Sequence, residues 1–244
     1  MGKIRVYCKK NLETSTEIRI EDEDFHYLRN VMRLNVGQEF FLFNERDGEF
    51  QCEVQNVAKK FLNVSVKIQT RSADTESIRE VELIFPPIRH SRLDFLIEKA
   101  TELGIKTLSP IVTQNTAVKD INVERLETIA KEATEQSRRL CPPVINGLEK
   151  FTDKISKFDF ENRGLIYLDE RQNVKENTVD ILKKFTDKPV SFIIGPEGGF
   201  SADEFEILSN TKAVSVSLGS RILRAETAGM AILAIYNIGL NDQK

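Results

Sequence analysis

Val190-Ser191-Phe192-Ile193-Ile194-Gly195-Pro196-Glu197-Gly198-Gly199-Phe200-Ser201 is the stretch whose reading decides the fold. Val190 to Ile194 is a continuous apolar run, as expected of a strand covered on both faces of a parallel sheet. Ser201, followed three residues later by Glu204, has the spacing of a capping box and opens a helix to about Ser209. Gly195 to Phe200 therefore joins a buried strand to a capped helix. In open α/β sheets, ligands sit beyond the carboxyl ends of the strands. Glycines at such a place let a backbone approach a ligand closely, and Pro196 fixes one φ angle among them. The spacing is neither G-x-G-x-x-G nor a G-K-[ST] loop, so phosphate cradling is not indicated. Two readings stay open on these residues alone, a ligand-binding loop and a tight strand-to-helix turn.

The same rhythm extends outward on both sides. Val81 to Phe85, Thr107 to Val112, Leu165 to Leu168 and Ala213 to Leu218 read as further strands. Helices are expected from Ser91 to Leu103, with Ser91 and Asp94 as its capping pair and Gly104 at its end. Others are expected after Asn122, over Val179 to Phe185, and from about Arg224 to Ile238. Alternating β and α units argue for a parallel sheet. Leu218-Gly219-Ser220-Arg221-Ile222-Leu223-Arg224-Ala225-Glu226-Thr227 is a second glycine-containing strand end, and it brings Arg221, Arg224 and Glu226 together. It is either a wall of one shared pocket or a solvated helix start with an ion pair.

Ahead of this region the pattern is mostly β. Ile4 to Cys8, Glu39 to Phe43, Glu49 to Val57 and Phe61 to Ile68 read as strands, with one helix over Glu21 to Arg33 facing Phe25, Leu28, Val31 and Met32 inward. Asp47-Gly48 is a hairpin signal. These elements form a small barrel-like module over residues 1–70. A polar stretch, 71–78, is the linker, and 79–244 is the α/β domain. Lys9, Lys10, Arg29, Arg33 and Arg46 are either a basic stripe on the first module or scattered surface charge. Arg138 and Arg139 end a helix, where cations suit the macrodipole and where they would also suit phosphate contacts.

Composition bounds the rest. A chain of 244 residues buries roughly 70% of its unfolded surface, enough for a core without staples. With 40% hydrophobic and 30% charged residues it is not a disordered chain. The net charge of −3 does not announce a polyanion binder, so such a partner needs local basic patches. Cys8, Cys52 and Cys141 contain no C-x-x-C pair, and His26 and His90 supply no metal cluster. No metal is expected. No run approaches the ~18 apolar residues of a membrane span, so no membrane partner is expected. Met1 to Lys10 lacks the apolar core of a secretory signal, and a cytoplasmic location is expected.

Taken in order, Arg5-Val6-Tyr7, His26 to Val31 with Arg33 and Gly37, Lys99 to Gly104, Glu132 to Arg139, Gly195 to Phe200 and Leu218 to Ala228 resemble the RsmE family of ribosomal RNA small-subunit methyltransferases. The resemblance spans nearly the whole chain. It implies a PUA-like β-barrel followed by a SPOUT-type parallel sheet with a C-terminal trefoil knot, a topology that sequence physics does not suggest. It implies a homodimer that uses S-adenosyl-L-methionine to methylate N3 of a uridine in 16S rRNA of the small ribosomal subunit. The cofactor-binding residues it implies are Leu168, Gly195, Pro196, Glu197, Gly198, Gly199, Leu218, Gly219, Ile222, Leu223 and Arg224. A side chain at Gly198 is then expected to fill the approach path to the cofactor. Arg224, Glu226 and Arg139 are the catalytic candidates: Arg224 or Arg139 as the cation beside the uracil carbonyls that gain charge, and Glu226, or in its place Glu197, as the base for the N3 proton, unless either glutamate only orients an arginine or the cofactor. Arg5, Arg29, Arg33, Arg138 and Arg139 are the implied RNA contacts. The chain departs from the family at Thr113-Gln114-Asn115-Thr116, where a Ser-Glu-Arg-type triplet is usual, so an arginine contact is missing there. Two alternatives remain: a SPOUT enzyme acting on tRNA or on ribose 2′-OH, and a non-catalytic ribosome-assembly factor.

Overall fold

The computed structural model describes residues 4–169, 171 and 176–240, and for His90 the backbone alone. Met1, Gly2 and Lys3 of the N-terminal segment, the His90 side chain and residues 241–244 lie outside the described residues. The chain divides into two compact units, 1–77 with 134–141, and 78–133 with 142–244.

The first unit is a five-stranded sheet. Its strands are β1 (Arg5–Tyr7), β2 (Glu17–Ile20), β3 (Glu39–Asn44), β4 (Gly48–Val57) and β5 (Leu62–Arg71), in the order β1-β3-β4-β5-β2. Period-two alternation places Phe50, Cys52 and Val54 of β4 and Leu62, Val64 and Val66 of β5 in one core. The β3–β4 turn needs its glycine. Gly48 has φ +89°, and a Cβ there would lie 2.2 Å from the Arg71 carbonyl oxygen. Strand β2 has only four residues, too few for its alternation of Ile18 and Ile20 to stand out from the polar loop before it.

The helix expected over Glu21 to Arg33 is shorter and changes pitch. Helix α1 (Asp22–His26) passes into a π-type turn over Tyr27–Val31, closed by Met32 N donating to Tyr27 O at 2.9 Å. The extra residue in that turn rotates the side chains after it away from the expected face. Leu28 is fully buried, whereas Val31, expected inside, is 58% exposed.

Residues 134–141 join this unit through Arg5. Its Nη1 donates to the Thr134 and Glu135 carbonyls at 3.3 and 2.8 Å, its Nη2 to Arg139 O at 2.9 Å, and its Nε to Glu49 at 2.6 Å. The guanidinium thus satisfies carbonyls at a helix end that have no intrahelical partner. Tyr7 N donates to Glu135 and Arg71 Nη1 to Arg138 O.

The second unit is a parallel sheet. Strands β6 (Val81–Phe85), β7 (Thr107–Val112), β8 (Val144–Ile145), β10 (Gly164–Leu168), β11 (Val190–Ile193) and β12 (Val214–Val216) lie in the order β12-β10-β11-β6-β7-β8, and β9 (Glu149–Lys150) also pairs with β7. Helices α2 (His90–Glu102), α3 (Val123–Gln136), α5 (Thr178–Lys183) and α7 (Ala225–Ala234) contribute to the core that holds Val81, Leu83, Phe85, Ile166 and Phe192. Helices α4 (Phe151–Ser156) and α6 (Ala202–Ser209) pack with Ile84, Ile111, Leu165, Tyr167 and Ile193 on the other face. The apolar run at 190–194 is therefore covered on both sides. Asn122 caps α3 through Arg125 N, and Ser201 with Glu204 forms the full capping box of α6. Ser91 does not cap α2. That helix starts at His90 after Arg89, and Asp94 instead pairs with Arg125 of α3. Among the described residues no helix is long and apolar enough to cross a membrane.

One charge lies within the sheet. Glu82 of β6 accepts from Ser109 at 2.5 Å, Lys154 at 2.7 Å and Ser191 at 2.5 Å, and Asn146 donates to Ser109 at 2.8 Å. Burial pushes the Glu82 carboxyl up, but the bonds from Lys154, Ser109 and Ser191 outweigh it and hold the group below its ordinary value. A carboxylate depressed in the fold contributes stability above its unfolded pKa, and that stability is lost as pH falls through the folded value. Urea midpoints measured from pH 7 down to pH 3 should therefore fall less steeply for Glu82→Gln than for the native chain, with Glu82→Gln less stable at pH 7.

Candidate active site

Strands β10, β11 and β12 are neighbours or near neighbours in a parallel sheet, so their carboxyl ends meet at one edge. Leu168 and Asp169, residues 194–200, and residues 216–225 with Ala228 together line a cavity of about 180 Å³, to which Phe205 of α6 adds a wall. Its lining is mostly apolar, with Leu168, Ile194, Val216, Leu218, Ile222 and Leu223 contributing, and it includes Asp169, Glu197, Arg221 and Arg224. Two of its glycines sit in the left-handed region, Gly199 at φ +71° and Gly219 at φ +105°. Pro196 O accepts from Gly199 N at 2.8 Å and closes the turn between them.

Polar groups border this cavity in three places. Asp169 is buried and accepts from Arg171 Nε and Nη2 at 2.9 and 2.8 Å. The Arg171 bond, opposed by burial, holds the Asp169 carboxyl below its ordinary range. The same guanidinium lies 3.5 Å from the centre of the Phe205 ring. On α2, Arg92 faces two carboxylates, with Nη1 3.9 Å from Glu197 and Nε 3.7 Å from Glu226. Glu226 is 7% exposed, and its Oε2 has no hydrogen-bond partner among the described residues. The third place is the loop after β7. Asn115 Nδ2 donates to Gly198 O at 3.2 Å and Gly199 O at 3.0 Å, and Gln114 N donates to Glu204 at 2.8 Å.

Most of the residues expected to hold a cofactor meet in this cavity. Leu168, Gly195, Pro196, Glu197, Gly199, Leu218, Gly219, Ile222, Leu223 and Arg224 all line it. Gly198 does not. A Cβ at Gly198 would meet the Asn115 Cβ at 3.1 Å, so the glycine makes room for Asn115 rather than for an approach path. Among the catalytic candidates, Arg224 lines the cavity and occupies the N-cap place of α7. Glu226 lies within the first turn of that helix, behind the lining. Arg139 belongs to the first unit, is 5% exposed and does not line the cavity.

The expected RNA contacts also divide. Arg33 and Arg138 are exposed and both hold left-handed backbone, φ 58° and 63°. Arg29 is half-buried and donates to Leu34 O and Asn35. Arg5 is buried with its donors committed to Glu49 and three carbonyls, so its task is to hold the first unit together rather than to meet RNA.

Sequence reasoning missed Asp169, Phe205 and the anchoring role of Asn115. Asp169 carried a signal, being the first residue past a buried strand. The other two carried none, because their neighbours lie far away along the chain.

Two domain families match, an RNA methyltransferase PUA domain over residues 20–67 and an RNA methyltransferase domain over residues 75–237. The ribosomal RNA small subunit methyltransferase E of Rickettsia conorii is 35% identical over 94% of this chain and 93% of its own length. The chain belongs to that methyltransferase E family. The Bacillus subtilis member is 29% identical over 93% of this chain and 91% of its own. A crystal structure of the Neisseria gonorrhoeae member bound to S-adenosyl methionine shares the fold, with a TM-score of 0.85 at 23% identity over 96% of each chain. The fold is thus the α/β parallel-sheet methyltransferase domain with a PUA-like domain ahead of it.

Gly199 carries the one left-handed position inside the 195–200 loop. Gly199→Ala should cost about 1–2 kcal/mol through its added Cβ, read as a thermal midpoint lowered by roughly 2–8 °C.

Proposed function

We propose that this chain transfers a methyl group from S-adenosyl-L-methionine to N3 of a uridine in 16S rRNA. The observation that carries the reading is the cavity at the shared carboxyl edge of β10, β11 and β12 in a chain of this family. The cavity fits that cofactor's chemistry. It offers mostly apolar walls with no lysine among its lining residues, unlike a phosphate cradle, and Gly199 and Gly219 hold conformations that a side chain would disfavour. Leu168, Gly195, Pro196, Glu197, Gly199, Leu218, Gly219, Ile222 and Leu223 would hold it. When bound, S-adenosyl-L-methionine supplies an electrophilic methyl group on sulfur.

The chain's own residues have three tasks. Uridine N3 must give up its proton as it gains the methyl group, and Glu226 is the candidate acceptor. Its Oε2 is buried beside cavity-lining Ala225 without a hydrogen-bond partner among the described residues, while Arg92 faces its Oε1. Arg224, exposed on the cavity rim, is the candidate to face the uracil carbonyl on which negative charge develops. Holding base and methyl donor in line supplies a large share of the acceleration. Arg33 and Arg138, exposed on the first unit, are the candidate phosphate contacts, with Arg29 beside Arg33. Arg139, buried as it is, is a candidate to position its neighbour Arg138 rather than to touch the reacting base.

The same reading includes a trefoil knot through the three cavity loops, a cytoplasmic location, the assembled small subunit as substrate and a homodimer.

The test is methyl transfer from labelled S-adenosyl-L-methionine to small subunits, free rRNA and tRNA from a strain lacking this protein. Nucleoside analysis should find 3-methyluridine in the small-subunit RNA. Label in tRNA or on ribose would replace the substrate, and no label with the cofactor bound would make the chain a binding factor. Glu226→Gln should lower kcat by roughly 10²-fold or more with cofactor affinity retained; an unchanged kcat would remove Glu226 as the acceptor.

A further inference from the structure

We propose that Asn115 is a positioning residue of this methyl-transfer site, acting by clamping the glycine loop from behind. The proposal rests on the cofactor reading for its functional consequence, and on geometry alone for the clamp. The Asn115 side-chain amide has two N–H donors, and two successive carbonyls of the loop face it, Gly198 O at 3.2 Å and Gly199 O at 3.0 Å. One residue earlier, Gln114 N donates to Glu204 Oε1 at 2.8 Å. The other oxygen of the same carboxylate, Oε2, accepts from Ser201 N at 2.8 Å. The loop is thus fastened at 198–199 by a side chain and at 201 through the buried Glu204.

The clamp is itself braced. Thr113 N donates to Thr116 Oγ1 at 2.9 Å, Thr116 N donates to Thr113 O at 3.2 Å, and the two hydroxyls share a bond of 2.8 Å. Both threonines are buried, so Asn115 is carried on a stiff turn at the end of β7. By contrast, the 195–199 segment has only the Pro196 O to Gly199 N bond as an internal turn bond among its described residues. A left-handed Gly199 has many alternatives open to it when free. The two bonds from Asn115 select one of them before the cofactor arrives, and such preorganisation lowers the ordering cost of binding.

Gly198 fits this arrangement. It does not line the cavity, and a Cβ on it would press on the Asn115 Cβ at 3.1 Å. Its lack of a side chain serves the clamp, so the penalty of filling it should depend on what stands at 115.

The experiment uses the full chain with Asn115→Ala, Asn115→Asp, Gly198→Ala, Asn115→Gly and the pair Asn115→Gly with Gly198→Ala. Asn115→Asp keeps the shape and removes both donors. Binding of S-adenosyl-L-methionine is measured by calorimetry, Gly199 amide exchange in the cofactor-free protein by NMR, and KM and kcat by the transfer assay. Asn115→Ala and Asn115→Asp should weaken cofactor binding roughly five- to thirtyfold, raise KM more than they lower kcat, and speed Gly199 exchange by a similar factor. Gly198→Ala should weaken binding in the native background and much less beside Asn115→Gly. Native affinity and native exchange in a folded Asn115→Asp protein would overturn the proposal, as would a Gly198→Ala penalty indifferent to residue 115. If the native chain binds no S-adenosyl-L-methionine, the cofactor reading fails, and the exchange arm still decides the clamp.

Discussion

A parallel sheet has only one carboxyl edge, and the second unit depends on that constraint. Strands β6, β7, β8, β10, β11 and β12 all run the same way, so every loop leaving a strand end emerges on the same side. Because β11 lies between β10 and β6, and β12 lies beyond β10, three loops distant in the chain converge. The return segments are helices that cover both faces. This is why Val190, Phe192 and Ile194 can be apolar with Ile193 apolar on the reverse. The cavity is a consequence of strand direction before it is a consequence of any side chain.

Burying carboxylates is costly unless they are paired or hydrogen-bonded, and this unit buries several. Glu82 is satisfied by Lys154, Ser109 and Ser191, Asp169 by Arg171, and Glu204 by two backbone amides and its role in the capping box. These three lock the sheet interior, the edge of β10 and the start of α6. Glu226 differs, with Arg92 at 3.7 Å from one oxygen and a buried second oxygen. A polar atom left in that state gains most from a proton donor that arrives with a ligand, which is the physical basis for proposing Glu226 as the acceptor.

In the first unit, basic residues are divided by geometry between structure and surface. Arg5 is buried against three carbonyls and Glu49, so a cation that looks free in the chain is an internal cap. Arg33 and Arg138 keep their side chains exposed while their backbones adopt left-handed turns. Arginine in that region is uncommon, and here the two positions follow the π-type turn and α3.

Much of this was legible from local pattern. Alternation, apolar runs, Asn122, the Ser201–Glu204 box and Asp47-Gly48 are signals within a few residues, and they located the main strands of both units, most helices and the glycine loops that line the cavity. Signals failed where the pattern was too short, as in β2, β8 and β9, or where a π-type turn changed the helical period after Tyr27. They also failed wherever a partner lies far along the chain. The sequence by itself determined an α/β rhythm, an all-β module ahead of it, and two glycine-bearing strand ends. Only the tertiary structure decided that Arg5 is an internal cap, that Gly198 yields space to Asn115, and that Arg92 faces both Glu197 and Glu226. Spacing along a chain encodes local geometry, whereas contacts across 44 to 134 residues exist only once the strands have paired.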